Sequence, residues 1–326
     1  MISVIIPNWN GKHFLSTCLK ALEGQSFRDF EVILVDNASC DGSSELVVRD
    51  FPWVKILQLP NNLGFAGGVN MGIKEAQGNL IALLNNDTEV TPNWLEYLYK
   101  ATQKYPSAGA IASKVLRFYK RNIIDSAGDV YRTDGTSAHR GGGEEDKGQF
   151  DREAFVFGAS GVSAMYRKEM LDEIGLFEDY FFAYYEDVDL CFRAQIAGWK
   201  VIYIPEAVVY HIGSGSTSSL SSLSVYHTTK NELAVICRNM PLGILIKNLP
   251  NILLARILKI FFYIYYGRSK EYFKGLAWFI LNLPKLLSER KKIQKTRKVS
   301  INYLNSIITH RSLKEYLLKI KKILFP

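Results

Sequence analysis

The sequence predicts an α/β fold: a mostly parallel sheet flanked by helices, followed by a C-terminal α-helical, membrane-associating region. Three observations point there. Short apolar runs alternate with helix-length segments through the first hundred residues. Those runs end in polar side chains, at Asn8 and Asn10, at Asp36 and Asn37, and at Asn85-Asn86-Asp87. The charge is split: residues 1–239 hold 22 Lys and Arg against 29 acids, while residues 240–326 hold 18 against three. The net +8 of the 326-residue chain therefore belongs to its C-terminal part. With 48% apolar residues a sizeable core is available and global disorder is excluded.

ISVIIP reads as a buried first strand. A helix follows, with Phe14, Leu15, Cys18, Leu19 and Leu22 on one face and Gly24 at its end. EVILVD is the second strand, and NASCDGSSE is a loop in which Ser43 or Ser44 caps the next helix. VKILQLP is the third strand. NNLGFAGGVNMGIKEAQG is a glycine-rich loop running into a helix, and NLIALLNND is the fourth strand. TPNWLEYLYKATQKYP opens a further helix with Thr-Pro and closes at Pro106. Strands joined through helices give right-handed parallel crossovers, and such sheets bind ligands at the carboxyl ends of their strands. The polar strand ends therefore converge on one edge.

Residues 117–155, rich in Gly, Asp and Arg, read as a long mobile loop or a hairpin insertion. AFVFGASGVSAMYR is a strand with small residues at its centre. Residues 168–175 and 186–198 read as helices, and WKVIYIP as a strand leading to Tyr210-His211-Ile212. From Leu242 to Ser288 the chain is dense in Leu, Ile, Phe and Tyr, yet its longest charge-free run is the ten residues 275–284. A spanning helix needs about 20 apolar residues. Interfacial helices whose Lys and Arg reach anionic headgroups fit better, and an anionic membrane surface is preferred to nucleic acid as the partner of the tail. The N-terminus lacks a basic stretch before its apolar run, and the four cysteines form no CxxC pair. Both suit a cytoplasmic protein held at the inner face of the membrane.

Six stretches, in order, resemble family 2 glycosyltransferases of the GT-A fold, of the bacterial rhamnosyltransferase-like kind. They are VIIPNWNG, LVDNASCDGS, NNLGFAGGVNMGI, LLNNDTEV, GLFEDYFFAYYEDVDLCFRAQIAGW and HIGSGS, and they cover about the first 220 residues. The resemblance implies an inverting, metal-dependent transfer from a dTDP- or UDP-sugar, dTDP-rhamnose by analogy, to a glycan or lipid-linked glycan. Residues 1–239 would be the catalytic domain and 240–326 a basic, apolar helical tail. The resemblance places Pro7, Asn8, Asn10, Asp36, Asn62, Gly64, Gly68, Asn70 and Asn86 at the nucleotide-sugar, with Asp36 on the base. It gives Asp87 and His211 to a divalent cation, Mn²⁺ or Mg²⁺. Asn85 stands where the family's motif has its first acid, which leaves a weaker ligand set. Asp187 would be the general base, with Glu186 in support. Arg193 is spaced for an i,i+4 pair with Asp189, or alternatively faces the diphosphate.

The residues themselves agree with such chemistry. Glycines allow close backbone approach, hard oxygen ligands suit Mg²⁺ or Mn²⁺, and crowded carboxylates raise one another's pKa, as a base requires. Two other readings stay open at this point. A nucleotidyltransferase would want a basic, glycine-rich first loop, which IPNWNGKHF does not offer. A non-catalytic nucleotide-sugar or membrane-binding protein would not need the set Asp36, Asp87, Asp187 and His211.

Overall fold

The structure is a computed structural model that describes residues 1–213 and 220–311. Ser214, Gly215 and Ser216 of HIGSGS, and the chain after Arg311, lie outside the described residues.

The first half builds as its apolar pattern dictates. It runs β1 (Ile2–Asn8), α1 (Lys12–Glu23), β2 (Phe30–Asp36), α2 (Ser43–Asp50), β3 (Lys55–Gln58), α3 (Gly64–Glu75) and β4 (Leu80–Leu84). The strands lie parallel in the order β4-β1-β2-β3. Register sets Asn8 directly beside Asp36, so two of the polar strand ends are neighbours. β1, β2 and β4 are buried on both faces, hence their unbroken apolar runs. Ser43 and Ser44 do not cap α2. Gly42 holds the cap position in a left-handed conformation, and the two hydroxyls turn to Asp41 and Asp36.

Past β4 come β5 (Thr88–Val90), α4 (Trp94–Lys104), β6 (Ala108–Arg117), β7 (Lys120–Ser126), β8 (Asp129–Arg132), β9 (Ser137–His139), β10 (Ala154–Val156), β11 (Ser163–Arg167) and α5 (Lys168–Ile174). β11 enters antiparallel between β4 and β6, so the sheet is mixed. Apolar periodicity is the same for either strand direction, which is why the sequence pattern alone favoured a mostly parallel sheet. Residues 117–155 are not a long loop. β7 folds back on β6, and β8 and β9 form a small separate sheet. Gly128 and Gly135, at φ +88° and +81°, supply tight turns between strands too short to show periodicity.

The rest comprises α6 (Glu186–Ala197), β12 (Lys200–His211), α7 (Ser222–Asn239), α8 (Leu242–Tyr265), α9 (Ser269–Lys295), α10 (Ile301–Ile307) and β13 (Ile308–Thr309). β12 runs parallel to β6, and its last residues pair with β5, setting His211 opposite Thr88. One apolar core fills each face of the sheet. A third joins Tyr131, Phe157 and Phe192 to Ile236, Ile244, Leu286 and Leu304, so the C-terminal helices pack on the α/β part of the chain. Buried ion pairs reinforce that contact. Glu232 of α7, fully buried, meets Arg256 and Lys259 of α8. β13 also extends the small sheet along β8.

Candidate active site

At the carboxyl ends of β1 and β4 lies a cleft of about 610 Å³. Its first wall is an amide lattice. Asn8 accepts from the Asn86 side-chain amide at 2.7 Å and donates to Ser39 Oγ at 3.2 Å. Asn10, held at φ +52°, accepts from the Cys40 N–H at 2.9 Å. Gly11 is required beneath this lattice, because a Cβ there would stand 2.1 Å from Asn86 Nδ2. Pro7, Asn37 and the exposed ring of Trp9 share this wall.

Asp36 is not on the cleft wall. Buried behind Asn8 and Asn37, it accepts from the Ser39 N–H at 3.2 Å and the Ser44 hydroxyl at 2.8 Å. The glycine-rich segment divides in the same way. Gly64, at φ +73°, lines the cleft; a Cβ there would lie 2.5 Å from the Phe182 carbonyl oxygen. Asn62 accepts the Gly64 N–H at 2.8 Å and also faces the cleft. Gly68 lies away from it, close-packed under the Asn37 amide. Asn70 is buried and grips the Phe177 backbone and Asp179, each at 2.7 Å through Nδ2, so its role is to tether that loop. Both belong to the scaffold, because α3 turns these positions inward.

The turn after β4 presents Asn85, Asn86 and Asp87 to the cleft. The β5–β12 pairing brings His211 to it, with Nε2 3.4 Å from Asp87 Oδ1. On its far side His211 Nδ1 meets Asp125 Oδ2 at 2.8 Å. A carboxylate hydrogen-bonded to the far nitrogen of an imidazole fixes the tautomer and orientation of the ring. Burial disfavours the imidazolium, yet Asp125 and Asp87 raise the His211 pKa to about 9. Among the described residues no cluster of three or more His, Cys, Asp or Glu is suited to a metal. Of the expected ligands, the Asp87 carboxylate and the His211 imidazole are brought together, and Asn85 lines the same cleft. A carboxylate beside an imidazole fits a divalent ion.

The opposite wall is the start of α6. Asp187 accepts from the Gly161 N–H and the Val188 N–H, each at 2.8 Å. Burial raises its pKa, and repulsion from Asp129 adds to this against those amide bonds. Burial and Asp187 raise that of Glu186 further, and among the described residues Glu186 Oε2 has no hydrogen-bond partner. Asp189 is the opposite case. It is buried, but Arg238 and Arg193 outweigh burial and hold its pKa below the usual value.

Arg193 does not face the cleft. Its Nε donates to Asp189 at 2.8 Å, and its terminal nitrogens donate to the carbonyls of Ile174, Gly175 and Leu176 at 2.6, 3.0 and 2.8 Å. The i,i+4 pair is the alternative the structure adopts, since a guanidinium 5% exposed must spend its donors inside. Arg193→Ala is expected to destabilise the fold by about 3–5 kcal/mol, through the loss of one partner of a buried pair. Denaturant melts read this, with nucleotide affinity per folded molecule unchanged.

A second imidazole–carboxylate pair, not apparent from the sequence, stands on this wall. His139 Nδ1 stands 2.7 Å from Asp129 Oδ1, because β8 and β9 pair these two residues across the strands. Asp129 raises the His139 pKa to about 9. Both line the cleft, as do Ser160, Gly161, Phe182, Tyr184 and Tyr185, and Leu223 and Thr228 of α7. The only signal was the polarity of the 117–155 segment, and it carried no spacing to act on.

Mixed sheet, amide-lined strand ends and an acidic helix start facing one cleft define a GT-A glycosyltransferase. Residues 3–175, more than half of the chain, match the model described as glycosyl transferase family 2, and the chain belongs to that family. It is 28% identical over 258 residues to the N-acetylglucosaminyl-diphospho-decaprenol L-rhamnosyltransferase of Mycobacterium tuberculosis, spanning 70% of this chain and 81% of that one. It is 34% identical to the glycosyltransferase GlyG of Streptococcus pneumoniae over 135 residues, 40% of this chain and 42% of that one. It spans 25% of an uncharacterised Sinorhizobium fredii protein, with 27% identity over 231 residues. Among solved structures, S. aureus TarS 1-349 in complex with UDP shares the fold at TM-score 0.58 and 16% identity, covering 98% of this chain and 91% of that one. GalNAc-T7 with UDP, GalNAc and Mn²⁺ does so at TM-score 0.66 and 16% identity, covering 99% and 57%.

Proposed function

We propose that this glycosyltransferase inverts the anomeric centre, with Asp187 as general base, and that its donor is a dTDP- or UDP-sugar, dTDP-rhamnose in the first instance. The observation that carries this reading is that Asp187 and the Asp87–His211 pair line one cleft. The acceptor hydroxyl attacks the anomeric carbon from the Asp187 side. Asp187 takes the hydroxyl proton as the new C–O bond forms and the bond to the diphosphate oxygen breaks, leaving the nucleoside diphosphate. One displacement inverts the centre. A divalent ion held by Asp87, His211 and Asn85 would neutralise the charge growing on that leaving group. Pro7, Asn8, Asn10 and Asn86 form the donor wall, and Asn37 stands where Asp36 had been expected. The aromatic rings of Phe182, Tyr184 and Tyr185 exclude water from the sugar.

The acceptor is proposed to be a lipid-linked glycan, by analogy with the diphospho-decaprenol acceptor in the name of the mycobacterial relative. Screening dTDP- and UDP-sugars for binding and turnover tests the donor. Turnover of none of them with any lipid-linked or polysaccharide acceptor would defeat the reading.

The C-terminal helices support a membrane-bound acceptor. In α8 the buried face carries Ile244, Ile252, Ala255 and Tyr263 with Asn248 and Arg256, while Leu242, Ile246, Leu249, Leu253, Ile257, Phe261 and Ile264 stand exposed at spacings of three and four. The helix is apolar on both faces, and an exposed apolar stripe of that length marks a contact surface. α9 adds exposed Phe273, Ile280 and Leu287 every seventh residue. Among the described residues no helix is long and apolar enough to cross a membrane. With the basic charge of residues 240–326, the stripe suits the surface of an anionic bilayer on the cytoplasmic side. Wild-type protein is expected to sediment with vesicles containing phosphatidylglycerol and much less with phosphatidylcholine alone. Replacing Leu253, Ile257 and Phe261 together by Ser is expected to leave it in the supernatant. Equal sedimentation of that variant, or self-association without vesicles, would overturn the membrane assignment.

A further inference from the structure

The segment leading into Glu186 and Asp187 holds Phe182, Tyr184 and Tyr185 at φ +64°, +70° and +70°. Bulky L-residues rarely occupy the left-handed region, and three within four positions persist only where the surroundings over-determine them. The surroundings here are two helices. From α3, the Ala66 N–H donates to the Phe182 carbonyl at 3.1 Å, an approach that needs the missing Cβ of Gly64. From α7, Asn231 does more. Fully buried, its side-chain nitrogen donates through two N–H groups, one of them shared, to the carbonyls of Phe181 at 2.9 Å, Ala183 at 2.9 Å and Tyr184 at 2.7 Å. Its oxygen accepts from Lys230 Nζ at 2.9 Å, and Lys230 donates in turn to the Tyr180 carbonyl. His227, one turn earlier, meets the Phe181 carbonyl at 3.1 Å. One amide thus gathers three carbonyls that a left-handed turn points the same way.

We propose that Asn231 is a positioning residue for catalysis: its carboxamide clamps residues 181–185 in their strained conformation and so aims the Asp187 carboxylate into the cleft before any ligand binds. The cause is local. Released, the three aromatic residues relax toward negative φ, the first turn of α6 shifts, and Asp187 leaves the Gly161 and Val188 amides that orient it. The donor wall at Asn8, Asn10 and Asn86 rests on other elements and keeps its geometry. The inference rests on Asp187 as base for its kinetic consequence, but not for its structural one.

Two measurements test it, both on the full chain. In Asn231→Ala and Asn231→Asp, kcat is expected to fall about 100-fold, as displacements near 1 Å at a reacting group do. The KM for donor is expected to rise by a much smaller factor than kcat falls, because the released rings border the donor sugar while the Asn8, Asn10 and Asn86 wall is untouched. A folded variant within about three-fold of wild-type kcat, or one whose loss lies in donor KM, overturns the proposal. Hydrogen exchange on the wild-type protein covers variants that fail to fold. The peptide spanning 178–187 is expected to be protected without donor, and exchange there as fast as in an unstructured loop overturns the clamp. Should Asp187→Asn keep full activity while the peptide is protected, the base assignment fails and the clamp stands.

Discussion

Asp187→Asn is expected to lower transfer by about 10²–10⁴-fold, the usual contribution of a general base, with donor affinity unchanged. The amide keeps the volume and one acceptor oxygen, but it cannot take a proton from the attacking hydroxyl. Glu186→Gln is expected to cost less. Burial and the neighbouring Asp187 charge favour the neutral acid at Glu186, and glutamine is also neutral. The pH profile supplies a second reading. A base acts only when ionised, and burial and Asp129 raise the Asp187 pKa. Activity is therefore present above that raised value and lost as pH falls through it, so the acid limb lies above the ordinary carboxylate range near about 4. The two carboxyls titrate as a pair, and the limb belongs to both. Steady-state rates across pH, with nucleotide binding measured in parallel, check these expectations. An acid limb in the ordinary range, or Asp187→Asn turning over like wild type, would remove Asp187 from the role.

Chelation is expected to abolish transfer, with recovery on adding Mn²⁺ or Mg²⁺, and Asp87→Ala is expected not to recover. Asp87 is the one carboxylate that the turn after β4 offers the cleft, since Asn85 and Asn86 are neutral. Asn85→Asp should work in the opposite direction. It adds a second anionic oxygen at the edge of the site, and ligand charge count tunes affinity for hard cations. Half-activation is then expected at a metal concentration about ten-fold lower, a change of about 1.4 kcal/mol. Calorimetric titration with Mn²⁺ reads the affinity without turnover. Asp125→Asn is expected to weaken binding about 10–100-fold, because the acid behind His211 orients its ring. Activity that survives exhaustive chelation, or an Asn85→Asp variant with unchanged Mn²⁺ affinity, would mean that no ion sits at Asp87.

The parallel half of the sheet was legible because fully buried strands write their burial into four- to seven-residue apolar runs. The direction of β11 was not, since strand periodicity carries no sign of direction. Residues 120–156 hold four strands of three to seven residues among turn glycines, and the short ones leave no period to read. The site divides the same way. Asn8, Asn10, Asn85, Asn86 and Asp87 were found because a polar residue ending a buried strand is conspicuous. Asp129 and His139 were overlooked because nothing local sets them apart. Arg193 shows the converse: its spacing from Asp189 was readable, but the three carbonyls that absorb its other donors lie 17 to 19 residues away.

By itself the sequence determined the chemical supply: amides and one acid at the strand ends, an acidic helix start, and a basic, apolar C-terminal region. Those properties are local, encoded in run length, strand termini and composition. Only the tertiary structure decided which groups reach the cleft and which are consumed in holding it. It turned Asp36, Gly68, Asn70 and Arg193 inward, set His211 between Asp87 and Asp125, and put Asn231 under the loop that carries Asp187. The reason is physical. A buried polar group must find its partner wherever packing places one, and for His211 and Asn231 the partners lie 86 and about 50 residues away.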